Sequence, residues 1–289
     1  MRITTINNLN QVQINQARAL LKACWEYDGT AREPYLSNML NFDPKMPSFV
    51  LAYEDSQLVG LLAAYADDQE PEISIYVHPD KRRQGFAKKI YQVFREATKE
   101  YGLKTFCFVS ETAFIGQNPN LIAHWDLKYS GDKEYLMQRT NRPFELFVCK
   151  ERCFTLAKPH QIESIAKVQS LAFDNPMEES IRYAREAMAD PNSLLYVATQ
   201  NEEVLASCTV DISSSFDYLY GLAVKPDRQG EGIGSCLVKH LLNDRIQNGG
   251  ITLFKLAVDH ENLIARKLYE KLGFEVVTEI VYLDEVVEE

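Results

Sequence analysis

Two stretches of the chain, 147 positions apart, share one frame. Residues 77–87 read "VHPDKRRQGFA" and residues 224–234 read "VKPDRQGEGIG": Val, any residue, Pro, Asp, basic residues, then Gly and a small residue. The chain has only 13 glycines, and three of them fall within Gly230 to Gly234. A repeat offset of about half of the 289 residues predicts two consecutive domains, each long enough to bury its own core. The boundary is expected near residue 145, giving an N-terminal domain over 1–145 and a C-terminal domain over 146–289.

The pattern around each loop supports the repeat. In the first half, "RITTI" reads as a strand. A helix follows over 10–28, with Val12, Ala17, Leu20, Leu21 and Cys24 at helical spacing. "SFVLAYEDSQLVGLLAAYA" reads as a strand pair turning at Glu54 to Gln57, and "EISIYVHP" as the next strand. A helix from Gly85 carries the apolar stripe Phe86, Ile90, Val93, Phe94 and Ala97 and ends near Gly102, before the strand "KTFCFVS". The second half repeats this order: "CFTLAKP", a helix carrying Ile162, Ile165, Val168 and Leu171, and the hairpin "LLYVATQNEEVLASCTVDIS". The strand "YLYGLAV", the helix "IGSCLVKHLLNDRI" and the strand "ITLFKLAVD" complete it. Between the halves, a turn at Asn141 to Pro143 precedes an extended "FELFV".

Composition narrows the partners. At 46% hydrophobic and 25% charged residues, the chain reads as globular, and no apolar run approaches the roughly 18 residues of a membrane span. The start, "MRITTINNLNQ", lacks the features of a signal peptide, so a cytoplasmic location is expected. A net charge of −10 argues against broad binding to nucleic acid or an anionic membrane and leaves room for a local basic pocket at "DKRRQGFAKK". The six cysteines are scattered. Only "CKERC" brings two close, at a spacing unlike zinc or redox motifs, so reduced thiols are expected. No two of the five histidines stand at helical ligand spacing, and no metal site is expected.

A strand running into a glycine turn that opens a helix is suited to an anion, because free backbone N–H groups and the helix dipole point into the turn. A dinucleotide-binding turn does not fit, since its third glycine would fall at Ser235 and "KPDRQ" is too long for it. A P-loop fails because no Lys-Ser or Lys-Thr pair follows Gly234. No Gly-x-Ser-x-Gly elbow is present, and Cys236 behind the loop is the least poor of six unsupported thiol nucleophiles.

Both loops resemble the signature of the GNAT acyl-coenzyme A transferases: Gln or Arg, two residues, Gly, one residue, then Gly or Ala. Gln229-Gly230-Glu231-Gly232-Ile233-Gly234 satisfies it, with Ser235 following, and so does Arg82-Arg83-Gln84-Gly85-Phe86-Ala87. The resemblance implies two tandem α/β domains, each a mixed, mostly antiparallel twisted sheet flanked by helices on both faces. It implies acetyl-coenzyme A as acyl donor. These turns would cradle its pyrophosphate, and the backbone of Leu222, Ala223 and Val224 would bond the pantetheine arm.

"LAVDHENLIARKLYEKLGFEVV" is similar to a second cofactor motif of that family, found in the second half only. Asn262 would open a helix, and Tyr269 would lie two turns along it. The resemblance implies that the Tyr269 hydroxyl protonates the departing thiolate, as a neutral phenol can. Against this, Ile264, Ala265, Leu268 and Leu272 form an apolar face, beside which an aromatic is often core. The matching segment of the first half, "NPNLIAHWDLKYSG", aligns in two frames, one placing Leu127 and the other His124 opposite Tyr269. One competent site is therefore expected, in the second half.

An alkyl amine with a pKa of about 10 must lose a proton before it attacks a thioester. Asp217, at the start of the central strand, either takes that proton or is a solvated turn residue after "SSS". Tyr218 and Tyr220 line an acceptor cleft or are ordinary half-buried aromatics. The expected activity is transfer of an acetyl group to a primary amine of a small molecule or peptide by direct attack. The alternative is a non-catalytic acyl-coenzyme A sensor or scaffold.

Overall fold

The computed structural model describes residues 2–145 and 152–286, in two compact units. The first comprises Met1–Tyr135 and Thr278–Glu289, the second Leu136–Val277.

In the first unit, β1 (Arg2–Ile6) leads to α1 (Gln11–Asp28). Asn10 and Gln13 form a capping box at its start, and Gly29 ends it in the left-handed conformation. The strands β2 (Phe49–Glu54), β3 (Gln57–Tyr65) and β4 (Glu72–Val77) then form an antiparallel meander. Alternation along β2 builds both layers. Val50 and Ala52 pack with Ile90 and Phe94 of α2 (Phe86–Thr98), while Phe49, Leu51 and Tyr53 pack with Ala17, Leu20 and Cys24 of α1. Each of the buried Val, Leu, Ile and Phe side chains among these contributes about 1.5–3 kcal/mol from burial. β5 (Cys107–Glu111) runs parallel to β4, and the short helices α3 (Thr112–Gln117) and α4 (Leu121–His124) follow.

The second unit repeats the order. The 14-residue β6 (Leu127–Thr140) carries the chain into it, and residues 136–140 lie beside β11 (Leu253–Asp259). From there the sheet runs through β10 (Asp217–Val224), β9 (Glu203–Asp211) and β8 (Ser193–Gln200) to β7 (Cys153–Leu156). Ile165 and Val168 of α5 (Ile162–Phe173) pack on Leu195 and Val197, and α7 (Ile233–Gly249) covers the other face. α8 (Leu263–Lys271) and β12 (Glu275–Glu285) end the chain.

Two features depart from the expected repeat. A helix α6 (Met177–Ala189), with Pro176 before it and Glu178 and Glu179 in its first turn, has no helical counterpart in the first unit. The units are not consecutive halves at residue 145. Residues 136–145 belong to the second, while β12 from Thr278 belongs to the first, because Ile280–Asp284 pair antiparallel with Cys107–Glu111. Glu285 accepts a hydrogen bond from the Tyr91 hydroxyl at 2.5 Å, and the Val286 N–H donates to the Asp126 carbonyl at 2.9 Å. The expected strand "FELFV" runs out of the described residues after Glu145, and Cys149 also lies outside them.

Candidate active site

In each unit a cleft opens where two parallel strands part. β10 pairs with β11 only at Asp217↔Phe254 and Tyr218↔Lys255, and β4 with β5 only at Glu72↔Cys107 and Ile73↔Phe108. Past those pairs, one edge of each strand keeps backbone groups that the neighbouring parallel strand leaves unpaired.

The two clefts differ by one residue. β3 and β4 pair without interruption from Gly60↔Val77 to Tyr65↔Glu72, whereas β9 and β10 slip register between Tyr220 and Ala223. Gly221 sits in that slip at φ 62°, a β-bulge that only a residue without Cβ enters without strain. The bulge re-phases the strand. Asp217 on one side of it meets Arg245 of α7, and beyond it Leu222 and Val224 again face α7, where they lie against Gly234. Tyr220 points the other way, its hydroxyl 3.5 Å from Ser193 Oγ, which donates to the Asp190 carboxylate at 2.9 Å.

The loop after β10 is shaped for an anion. Gly230 and Gly232 stand at φ 82° and 76°, with open space where a Cβ would be. α7 begins at Ile233 with no side-chain cap, and its first backbone bond runs from the Cys236 N–H to the Gly232 carbonyl. The N–H groups of Ile233, Gly234 and Ser235 therefore precede the helical bonding pattern, at the positive end of the dipole. Gly234 serves packing: a Cβ there would meet Val224 Cγ2 at 3.1 Å. Gln229 Nε2 donates to the Val224 carbonyl at 3.3 Å and ties the turn to the strand end. The Glu231 carboxylate turns to two cations the sequence reading missed, Arg228 at 2.6 Å and Arg152 at 2.5 Å. The Arg228 hydrogen bond, with Arg152, holds its pKa below the ordinary carboxylate value.

Tyr269 lies near the end of α8, buried and edge-on to Phe274 with ring centroids 5.8 Å apart. Burial raises its pKa above that of a free phenol, with Cys208 and Tyr218 adding to the shift, so the hydroxyl stays protonated. Asn262 caps α8, its side chain accepting from the Ala265 N–H at 3.0 Å. Asp217 is neither a free base nor a solvated turn residue. It is fully buried, and its carboxylate is held by Arg245 Nε at 2.6 Å, on the opposite side of the strand from Tyr220. Alternation along β10 places it there.

The first unit's loop reproduces this geometry with different side chains. Arg83 takes φ 58° where Gly230 stands, and Gly85 takes φ 82°. Arg82 Nε donates to the Val77 carbonyl at 3.0 Å, as Gln229 does to Val224, and its two Nη atoms clamp the buried Asp28 at 2.6 Å each. Gln84 Nε2 bonds the Asp80 carbonyl at 3.2 Å, Phe86 is buried in the core, and Ala87 stands where Gly234 does. A cavity of about 650 Å³ runs from this loop into the cleft, within the range of small-molecule sites. His124 and Leu127 both line it, yet neither answers Tyr269. α4 ends at His124 and α8 at Lys271, the positive-φ residues Asp126 and Gly273 follow, and counting back from these ends puts Ile122 opposite Tyr269.

The model of the acetyltransferase (GNAT) family matches residues 14–117 and again 160–274. The chain belongs to this family. Mycothiol acetyltransferase of Mycolicibacterium gilvum is 28% identical over 242 residues, 76% of each chain. Ribosomal protein bS18-alanine N-acetyltransferase of Escherichia coli K12 is 34% identical over 85 residues, 29% of this chain and 57% of that relative. A solved tandem GNAT protein from the clavulanic acid biosynthesis pathway, 14% identical, superposes over 100% of this chain and 99% of its own with a TM-score of 0.71.

The protein is thus a GNAT acetyltransferase with acetyl-coenzyme A as its acyl donor. The second loop fits that donor's pyrophosphate through the three N–H groups of Ile233, Gly234 and Ser235, the open space above Gly230 and Gly232, and the flanking Arg228 and Arg152.

Proposed function

We propose that the second unit transfers the acetyl group to a primary amine of a small molecule by direct attack on the thioester. The observation that carries this reading is the contrast at one helix position: the buried phenol of Tyr269 in the second unit, the hydrocarbon of Ile122 in the first. A site that only holds its ligand has no need of a proton donor there. Acetyl-coenzyme A supplies an acyl carbon activated by a thiol leaving group. The residues that hold it are Gln229, Gly230, Glu231, Gly232, Ile233, Gly234 and Ser235 of the turn and the unpaired edge of Leu222, Ala223 and Val224. In the first unit, Arg82, Arg83, Gln84, Gly85, Phe86 and Ala87 form the corresponding cradle.

As the amine nitrogen bonds to the acyl carbon and the carbon–sulfur bond breaks, the Tyr269 O–H gives its proton to the sulfur. The proton lost by the amine needs another acceptor than Asp217. Tyr220, Ser193 and Asp190 lead from the acceptor side of β10 to a carboxylate and fill that role in place of the expected base. A small-molecule acceptor is supported by the likeness to mycothiol acetyltransferase, which extends over 76% of both chains, against 85 residues for the ribosomal-protein enzyme. The test is a screen of amines, amino acids, peptides and aminoglycosides for acetyl-coenzyme A-dependent release of free thiol, with Tyr269→Phe as control. Release by the native chain that the variant lacks supports the reading. Equal release by both removes Tyr269 from it.

A further inference from the structure

The first unit's cleft is crossed by its own chain. Between α1 and β2, residues 28–33 lie across the parting of β4 and β5, tied to both strands. The Glu111 carboxylate at the end of β5 is buried and accepts the N–H groups of Ala31 at 2.8 Å and Arg32 at 3.1 Å. From β4, Ser74 Oγ accepts Arg32 Nη1 at 2.7 Å, and the Tyr76 hydroxyl donates to the Arg32 carbonyl at 3.1 Å. Trp25 Nε1 donates to that carbonyl at 2.9 Å. The near end is fixed at Asp28, whose carboxylate is clamped by Arg82 and whose carbonyl accepts Gln117 Nε2 at 2.6 Å.

These bonds fall on one face of the sheet. Ile73, Ile75 and Val77 pack with the α2 layer, as does Phe86 behind the phosphate-type turn, while Tyr76 packs with the α1 layer. A ligand seated over the turn enters from the α2 face and threads the gap between β4 and β5. A second substrate then has only the α1 face from which to reach the threaded end. Thr30, Arg32 and Glu111 line the cavity on that face, so the segment is its far wall. In the second unit the chain after α5 folds back on its own helix, with Asn175 N–H to the Ser170 carbonyl at 3.2 Å and Ser170 Oγ to the Asn175 carbonyl at 2.7 Å.

We infer that residues 28–33 are a strap that shuts the acceptor side of the first unit's cleft, so that this unit holds a coenzyme A thioester and keeps it from nucleophiles. The inference rests on the reading of residues 82–87 as a coenzyme A cradle and is independent of catalysis in the second unit. Buried hydrogen bonds to a carboxylate are the strong kind, and Glu111 supplies two. The two units then have separate tasks: one exposes its thioester to an amine, the other stores one.

Hydroxylamine tests the strap, since it converts a thioester to a hydroxamate and free thiol without an enzyme. The full chain carrying Gly232→Glu, which disables the second loop, is held in excess over acetyl-coenzyme A, and hydroxamate formation is followed. The strap predicts a rate at least about 10-fold below that of free acetyl-coenzyme A, as for a reactive group shielded in a closed site. Arg32→Ala combined with Glu111→Ala returns the rate to that of the free thioester while binding persists. Should either variant fail to fold, equilibrium dialysis of labelled acetyl-coenzyme A on the native chain gives two bound per chain, falling to one in Gly85→Glu. A bound thioester reacting at the free rate, amine turnover by the Gly232→Glu chain, or one equivalent bound by the native chain and undiminished in Gly85→Glu overturns the inference. Loss of amine turnover in Gly85→Glu places the reacting thioester in the first unit and overturns the inference together with the assignment of catalysis to the second unit.

Discussion

Arg245 reaches from α7 to Asp217 at the start of β10, Nε to Oδ2 at 2.6 Å, and both side chains are largely withdrawn from solvent. A carboxylate held this way stabilises a sheet and a helix against each other. Burial raises its pKa and the Arg245 hydrogen bond opposes the rise. Removing one partner strands a buried charge, so Arg245→Ala is expected to destabilise the chain by about 3–5 kcal/mol in urea titrations. Asp217→Asn, which keeps the shape and accepts from Arg245 through its amide oxygen, is expected to retain kcat within about 3-fold, where loss of a general base lowers it by about 10² or more. A 10²-fold loss in a folded Asp217→Asn chain would return this residue to the proton path.

The Gly232 position tests the second loop. Its φ of 76° strains any side chain by about 1–2 kcal/mol, and a glutamate adds negative charge above the free N–H groups of α7. Gly232→Glu is expected to abolish acetyl-coenzyme A binding at this site, measured calorimetrically in the Gly85→Glu background. Gly232→Ala is expected to weaken it only by the strain. Unchanged affinity in a folded Gly232→Glu chain counts against the cradle.

The bulge gives a further test, because removing it changes the backbone path and not the chemistry. Deleting Gly221 restores unbroken alternation to β10 and, by removing the one extra residue, keeps Asp217, Leu222 and Val224 all facing α7. Binding at the second loop is therefore expected to persist in the deletion variant, as the first unit's strands part without a bulge, whereas Gly221→Ala costs about 1–2 kcal/mol of stability at its left-handed φ of 62°. Denaturation and calorimetry on the two variants separate these outcomes.

Burial pushes the Cys24 thiol up to about 11 and the Cys208 thiol up to about 12. In the unfolded chain both ionise from about 8.5. The neutral thiols therefore favour the fold fully below that value, and the contribution is lost as pH climbs from about 8.5 toward 11. Stability measured by urea at pH 8 and pH 10.5 is expected to fall less in Cys24→Ala/Cys208→Ala than in the native chain. In the native chain at pH 8, iodoacetamide is expected to label the exposed Cys153 well before either buried thiol.

What was legible in the sequence follows from locality. The glycine turns were readable because left-handed backbone selects glycine at Gly85, Gly230 and Gly232, and the helix and strand periods around them are set by the faces they bury. Arg83 at φ 58° carries no such mark, since a non-glycine residue there is held by its surroundings. The bulge rests on one glycine among strand formers, and the fate of Asp217 on Arg245, 28 residues later. The placement of β12 was hidden for the same reason. Nothing in "EVVTEIVYLDE" names Cys107–Glu111 as its partner.

Tyr269 decides between core and catalysis. Its ring packs edge-on to Phe274, and its hydroxyl makes no hydrogen bond among the described residues, so Tyr269→Phe leaves packing intact and shifts stability by less than about 0.5 kcal/mol. As a general acid its loss lowers kcat by about 10² to 10⁴ with acetyl-coenzyme A affinity unchanged. Because burial raises its pKa, the hydroxyl remains a donor throughout the working range, and the native kcat shows no alkaline loss from this group. The coenzyme A thiol, with a pKa of about 8.5 like that of cysteine, leaves increasingly well unaided above that pH. The defect of Tyr269→Phe is therefore expected to be largest near pH 6–7 and to shrink toward pH 10. Profiles of kcat against pH for both forms, taken with an acceptor found in the screen, provide the check. Coincident profiles would make Tyr269 a core aromatic, and a uniform offset with weakened binding would make it a binding residue.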